Sequence, residues 1–311
     1  MNQLSKKKRA QILALLVEGN SLRATSRLAD CSINTVTKLL VEVGAACADY
    51  QDKTLRDLPC TRLECDEIWS FCYAKERNVP ATMAGQFGIG DVWTWVALCA
   101  DTKLVPSWLV GNRDASYAEA FALDLASRLS SRVQITTDGL HLYIAAVDNA
   151  FGSNVDYAML MKTYGQPVGG APIPPGRYSP PVCTGSMKVP VRGAPNMGLV
   201  STSYAERQNL TMRMSMRRFT RLTNGFSKKV ENLAHSVALH FMYYNFGRVH
   251  KSLRVTPAMQ AGVTGQYGMA GDRRAAGSVE LGEEGALQRQ RHRRLGVMDL
   301  RDHRVGGLVA G

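Results

Sequence analysis

The order of strand-like and helix-like runs between residues 62 and 161 constrains this chain more than any other feature. Residues 62–73 (RLECDEIWSFCY), 92–100 (VWTWVALCA) and 104–110 (LVPSWLV) are rich in strand formers and predict three strands. Residues 74–91 hold three glycines and Pro80 and suit a long hairpin connection, while Asp101-Thr102-Lys103 suits a tight turn. Ser116 with Glu119 then opens a helix whose apolar face is Ala118, Phe121, Ala122, Leu125 and Leu129. Val133 to Thr137 reads as a short buried strand ending at Asp138-Gly139, followed by a helix over about 141–150 and a strand at 155–161. Three antiparallel strands followed by helix, strand, helix and strand predict an α/β fold: a mixed five-stranded sheet with helices on both faces.

In that topology the first and fourth strands lie side by side and parallel, so Asp66 and Asp138 meet at one edge of the sheet. Two carboxylates a few ångströms apart raise each other's pKa unless a divalent cation neutralises both, and a hard ion such as Mg²⁺ suits them. The plainer alternatives are an Asp66 paired with an arginine and an Asp138 that opens a turn before Gly139. Glu64, Glu67, Asp101, Asp148 and Asp156 compete for the same role. Glu67 is expected on the strand face opposite Asp66, and Asp148 in mid-helix.

A third acid comes from residues 201–229, STSYAERQNLTMRMSMRRFTRLTNGFSKK. Glu206 is followed by Arg207, Arg213, Arg217, Arg218, Arg221, Lys228 and Lys229, with no further carboxylate until Glu231. Ser203 and Glu206 have the spacing of a capping box, which puts Glu206 in the first turn of a helix. At about 3.6 residues per turn, Glu206, Arg213 and Arg217 share a face. One carboxylate beside a ladder of guanidinium groups suits a site that holds a metal cation and a polyanionic backbone together; a solvated basic helix is the bland alternative.

Upstream, residues 5–18 predict a short helix behind a basic cluster. Ser21 caps a helix through about Leu28, Ala29 to Ser32 turn, and Ile33 to Val43 form another helix. Residues 1–45 thus have a helix-turn-helix pattern, with Leu22, Leu28, Ile33, Val36 and Leu40 as its small core. Asn34, Thr35, Thr37 and Lys38 would face a major groove, although trihelical units without a DNA role share the pattern. Residues 46–60 read as a linker. The 38 Lys and Arg against 26 Asp and Glu, a formal net charge of +12, point to a polyanion, nucleic acid before membrane. No segment approaches the roughly 20 apolar residues of a membrane span, and Ile12 to Val17 is too short for a secretory signal, so a cytoplasmic protein is expected. The seven scattered cysteines read as buried thiols; a zinc site from Cys60, Cys65 and Cys72 fits no common spacing.

The segments DEIWSF (66–71), TDG with the following tyrosine (137–143), TSYAERQNLTMRMSMRRFTRLTNGFSKK (202–229) and YYNFGRVHKSLRVTPAM (243–259) resemble insertion-sequence transposases of the DDE class. The resemblance spans about residues 10–265. It implies a ribonuclease H-like catalytic domain over 61–265, related to retroviral integrases, with Asp66, Asp138 and Glu206 as an acidic triad holding two Mg²⁺ or Mn²⁺ ions. It further implies double-stranded DNA as partner (element ends and target), a homo-oligomer in the DNA complex, and residence at the nucleoid of a prokaryotic cell. The Gly/Pro-rich stretch 165–198 is expected to be an irregular insert, in which Arg177 and Tyr178 sit on a surface loop. Residues 266–311, rich in Gly, Arg and Ala, depart from the family pattern and read as a disordered basic tail. Two rivals remain: a DNA-binding relative that cuts nothing, and an RNA-directed nuclease on the same core, for which no single-strand-binding aromatic array is visible in the sequence.

Overall fold

A computed structural model describes residues 4–165, 182–220 and 223–265. Three helices lead: α1 (Lys6–Val17), α2 (Leu22–Leu28) and α3 (Ile33–Thr54). The body then runs β1 (Arg62–Cys72), β2 (Gly90–Cys99), β3 (Ser107–Gly111), α4 (Ala115–Ala126), β4 (Val133–Thr137), α5 (Leu142–Phe151), β5 (Val155–Gly165) and β6 (Val182–Arg192). It closes with α6 (Ser203–Ser215), α7 (Val230–Met242) and the single turn α8 (Pro257–Gln260).

The strands form one six-stranded sheet in the order β3-β2-β1-β4-β5-β6. β1, β2 and β3 are antiparallel neighbours, β1, β4 and β5 are parallel, and β6 is antiparallel to β5. Alternation along the strands divides the core. Leu63, Cys65, Trp95, Ile135 and Tyr157 pack on one face with Tyr117, Phe121 and Leu125 of α4 and Tyr143 and Val147 of α5. Ile68, Val96, Leu98 and Val110 pack on the other with Met212 of α6 and Leu233, Val237 and Phe241 of α7. This mixed α/β architecture, helices on both faces, is compatible with a ribonuclease H-like fold.

Several expectations need correction. The sheet has six strands rather than five, because β6 lies inside the stretch 165–198 expected to be irregular. As an edge strand, mostly exposed, it is held by main-chain hydrogen bonds to β5 and needs no buried side-chain pattern. Residues 46–54, expected as linker, extend α3 to 22 residues. Their inward stripe is made of small or polar residues, Gly44, Cys47, Ala48 and Gln51, packed on α7. A Cβ at Gly44 would stand 2.6 Å from that of His235, so the two helices touch through a missing side chain. In the amino-terminal core Val36 and Leu40 are buried, joined by Ile12, Leu13, Leu39 and Leu239, whereas Leu28 and Ile33 are exposed. Asp114, not Ser116, caps α4, by accepting the Tyr117 N–H.

α6 stops at Ser215, and extended backbone at Met216 leads into a 3-10 turn, Arg217–Phe219. Met216 and Phe219 are thereby turned into the core beside Met212, and the basic run is not one helical face. Cys60 and Cys65 lie in the core on one side of the sheet and Cys72 on the other, which separates the proposed zinc ligands. Residues 166–181, including Arg177 and Tyr178, and the tail 266–311 fall outside the described residues.

Candidate metal centre

Parallel pairing of β1 with β4 sets Glu64 opposite Thr136 and Cys65 opposite Thr137. Asp66 and Asp138 follow directly in the two chains, so main-chain register alone makes them neighbours. The N–H of Glu67 donates to Asp66 Oδ1 at 2.8 Å, and the N–H of Leu140 donates to Asp138 Oδ1 at 3.0 Å. One carboxylate oxygen each from Asp66, Glu67 and Asp138 lie within 4.8 Å of one another. Glu67 does lie on the strand face opposite Asp66, as expected: it follows Leu63 and Cys65 on the α4/α5 side and is bonded there by Arg113, whereas Asp66 bonds Asn209 of α6 on the other side. Its carboxylate nevertheless reaches the cluster. β4 ends at Thr137, so Asp138 stands just past the strand end, where its carboxylate is near both Asp66 and Glu67 although these still pair with β2.

Electrostatics mark the same spot. Burial, then the Asp138 carboxylate and to a smaller degree Glu206, push Asp66 up to about 7, against the pull of the Glu67 N–H and the Asn209 amide. Burial, followed by Asp138 and Asp66, likewise pushes Glu67 up to about 7, although Tyr143 and Arg113 favour its charged form. The Glu67 side chain is 1 % exposed; Arg113 Nε donates to its Oε2 at 3.2 Å. Repelling, desolvated acids at one point are what a divalent cation would relieve. Mg²⁺–oxygen distances of about 2.0–2.1 Å put two ligands of one ion up to ~4 Å apart, a modest contraction from the observed spread. The donor set therefore fits a hard cation.

Glu206 reaches this edge on α6, and the anchoring of that helix was not legible in the sequence. The Glu64 carboxylate, two residues before Asp66 on β1, accepts the N–H groups of Tyr204 at 2.7 Å and Ala205 at 3.1 Å, binding the positive end of α6 to the sheet. One turn on, Asn209 Nδ2 donates to Asp66 Oδ2 at 2.8 Å. Glu206 occupies the first turn as expected, but with Thr202 as N-cap rather than Ser203. Thr202 Oγ1 donates to Glu206 Oε1 at 2.6 Å, and Lys162 of β5 pairs with the same oxygen. Its side chain is 47 % exposed and stands outside the cluster of Asp66, Glu67 and Asp138.

The expected DNA-binding residues are scattered. Arg207, Arg217, Lys228 and Lys229 are exposed and Arg213 is half-buried. Arg218 is not a surface cation: its guanidinium donates to Ser227 Oγ at 2.7 Å, and burial lowers its pKa to about 10. Arg221 lies outside the described residues. On α3, Asn34 and Lys38 are exposed while Thr35 and Thr37 are half-buried, Thr37 bonding back to the carbonyl of Ile33. α2 and α3 meet at 113° across a short turn. Among the described residues no single helix is long and apolar enough to cross a membrane.

No protein-family model and no curated protein matches this chain.

Proposed function

We propose that this chain is a DDE-class transposase, a metal-dependent enzyme that cuts and joins DNA strands at the ends of an insertion sequence. The observation that carries the reading is the meeting of Asp66 and Asp138 on adjacent parallel strands, with Glu206 delivered to the same edge by a helix pinned to β1. In this reading Asp66 and Asp138 hold Mg²⁺ or Mn²⁺, and Glu206 completes the set after leaving Lys162. Bound there, two ions would activate a water or 3′-hydroxyl and stabilise the leaving oxygen of a phosphodiester. Asn209 orients Asp66, and Glu64 fixes the height of Glu206 along the sheet. Arg207, Arg217, Lys228 and Lys229 supply phosphate contacts, and α2–α3 act as a helix-turn-helix reading the element's terminal repeats through Asn34 and Lys38. Pairing of two DNA ends calls for a homo-oligomer.

Mg²⁺-dependent nicking of a duplex carrying the element's ends tests this. Asp66→Asn or Asp138→Asn is expected to lower the rate on the order of a thousandfold while duplex affinity persists. Undiminished nicking by either variant, or faster cutting of an RNA–DNA hybrid, overturns the proposal. One observation favours a second reading, a DNA-binding relative that cuts nothing: Glu206 is tied to Lys162 and Thr202, away from the other acids. Strong duplex affinity with no metal binding by the wild-type protein would select it.

A further inference from the structure

The sheet face that carries Glu67 continues beyond the helices that cover it. By alternation, Trp69 and Phe71 follow Glu67 on that face, and the register places Trp93 of β2 opposite Trp69. A bridge between Cys72 and Ser227, with the Tyr73 N–H donating to the Ser227 carbonyl at 2.8 Å, brings Phe226 alongside. Phe71 stacks on Phe226 with centroids 4.8 Å apart, and Trp69 lies 5.7 Å from Phe71. All four rings are half-buried, and none belongs to the hydrophobic core on either side of the sheet.

Cations accompany the rings. Lys75 Nζ stands 5.9 Å from both the Trp69 and Phe71 centroids, and Lys228 Nζ 4.5 Å from that of Phe226. Among the described residues, neither lysine is paired with a carboxylate. Arg113 joins this strip to the acidic centre: its guanidinium lies 4.6 Å from the Trp93 ring while Nε donates to Glu67.

We propose that this strip is a stacking platform for the unpaired bases of a DNA strand lying next to the acidic centre. Half-exposed rings interleaved with unpaired cations match the alternation of base and phosphate along a single strand. A duplex, whose bases stack on one another, offers the rings nothing. Arg218, half-buried and bonded to Ser227, holds the loop that presents Phe226. The sequence hides the array because β1, β2 and a distant loop each contribute part of it. The proposal rests on reading the acidic centre as one that acts on DNA, but its test does not involve that centre.

The test is fluorescence anisotropy in EDTA, where no cleavage occurs, with a dye-labelled oligothymidylate and an abasic strand of equal length. The base-bearing strand should bind on the order of tenfold more tightly. Trp69→Ala, Trp93→Ala and Phe226→Ala should each remove most of that preference with the circular dichroism spectrum unchanged, and Trp69→Phe should restore it. A wild-type ratio near one overturns the proposal without recourse to any variant. So does tighter binding of an oligouridylate, or folded alanine variants that keep the wild-type ratio. Loss of cleavage elsewhere would leave this preference in place, so the two readings fail separately.

Discussion

Asp66 and Asp138 sit where two main chains are hydrogen-bonded together, whereas Glu206 sits on a helix docked by a handful of side chains. The first pair cannot spread apart without breaking the β1–β4 ladder, so burial and then repulsion by Asp138 raise the pKa of Asp66. The second element is adjustable: Glu64 and Asn209 hold α6, while the Glu206 carboxylate points to Lys162. One half of the centre is fixed by backbone, and the other is moved into place by contacts that single substitutions can remove.

The largest effect that would break this contrast is expected from Glu64→Ala. Two N–H groups at the start of α6 lose their anion, which costs about 1–2 kcal/mol in denaturant titration. Nicking should fall on the order of tenfold or more through kcat rather than KM, because Glu206 loses its height on the sheet. Glu64→Gln, which keeps an acceptor oxygen, should recover much of the rate. Wild-type turnover in Glu64→Ala would show that the helix is positioned some other way.

A smaller, opposite signature belongs to the fixed half. Asp66 and Glu67 titrate near 7 in the folded protein, above their ordinary values of 3.8 and 4.5, and burial shifts Glu64 in the same direction. Between about pH 4 and 7 these acids therefore hold more protons in the folded chain than in the unfolded one and contribute stability that is lost as pH rises. His240, lowered to about 3 by burial, and His250, lowered by the same cause, act in the opposite direction. Comparison with Asp66→Asn isolates the acid: without metal the variant's Tm should gain on that of the wild type as pH rises across the window, and excess Mg²⁺ should reduce that gain. A Tm difference that stays flat over the same range would remove the idea of stored repulsion.

The acidic pair was legible in the sequence because strand order alone makes β1 and β4 neighbours, whatever the side chains do. β6 was not, since a one-sided edge strand containing Gly185 and Pro190 carries no alternation to read. The far half of α3 was hidden for a different reason: Gly44, Ala48 and Gln51 bury a stripe that hydropathy does not mark. Glu64 and Glu67 could be noticed only as acids near Asp66. Their separate tasks, clamping α6 and joining the acid cluster, depend on where β4 and α6 end.

The smallest effect lies at Lys162. Lys162→Met breaks a partly exposed ion pair, so stability should change by less than about 1 kcal/mol. Mg²⁺ affinity should nevertheless rise a few-fold, since the cation competing for Glu206 is gone. Unchanged affinity would mean that Glu206 never joins the metal.

Anomalous scattering from crystals of the protein soaked in Mn²⁺ addresses the triad itself. The account predicts density between Asp66 and Asp138, with Glu206 turned from Lys162 toward the metal. Mn²⁺ held by Asp66 and Glu67 with Glu206 still on Lys162, or no Mn²⁺ at these carboxylates, would contradict it.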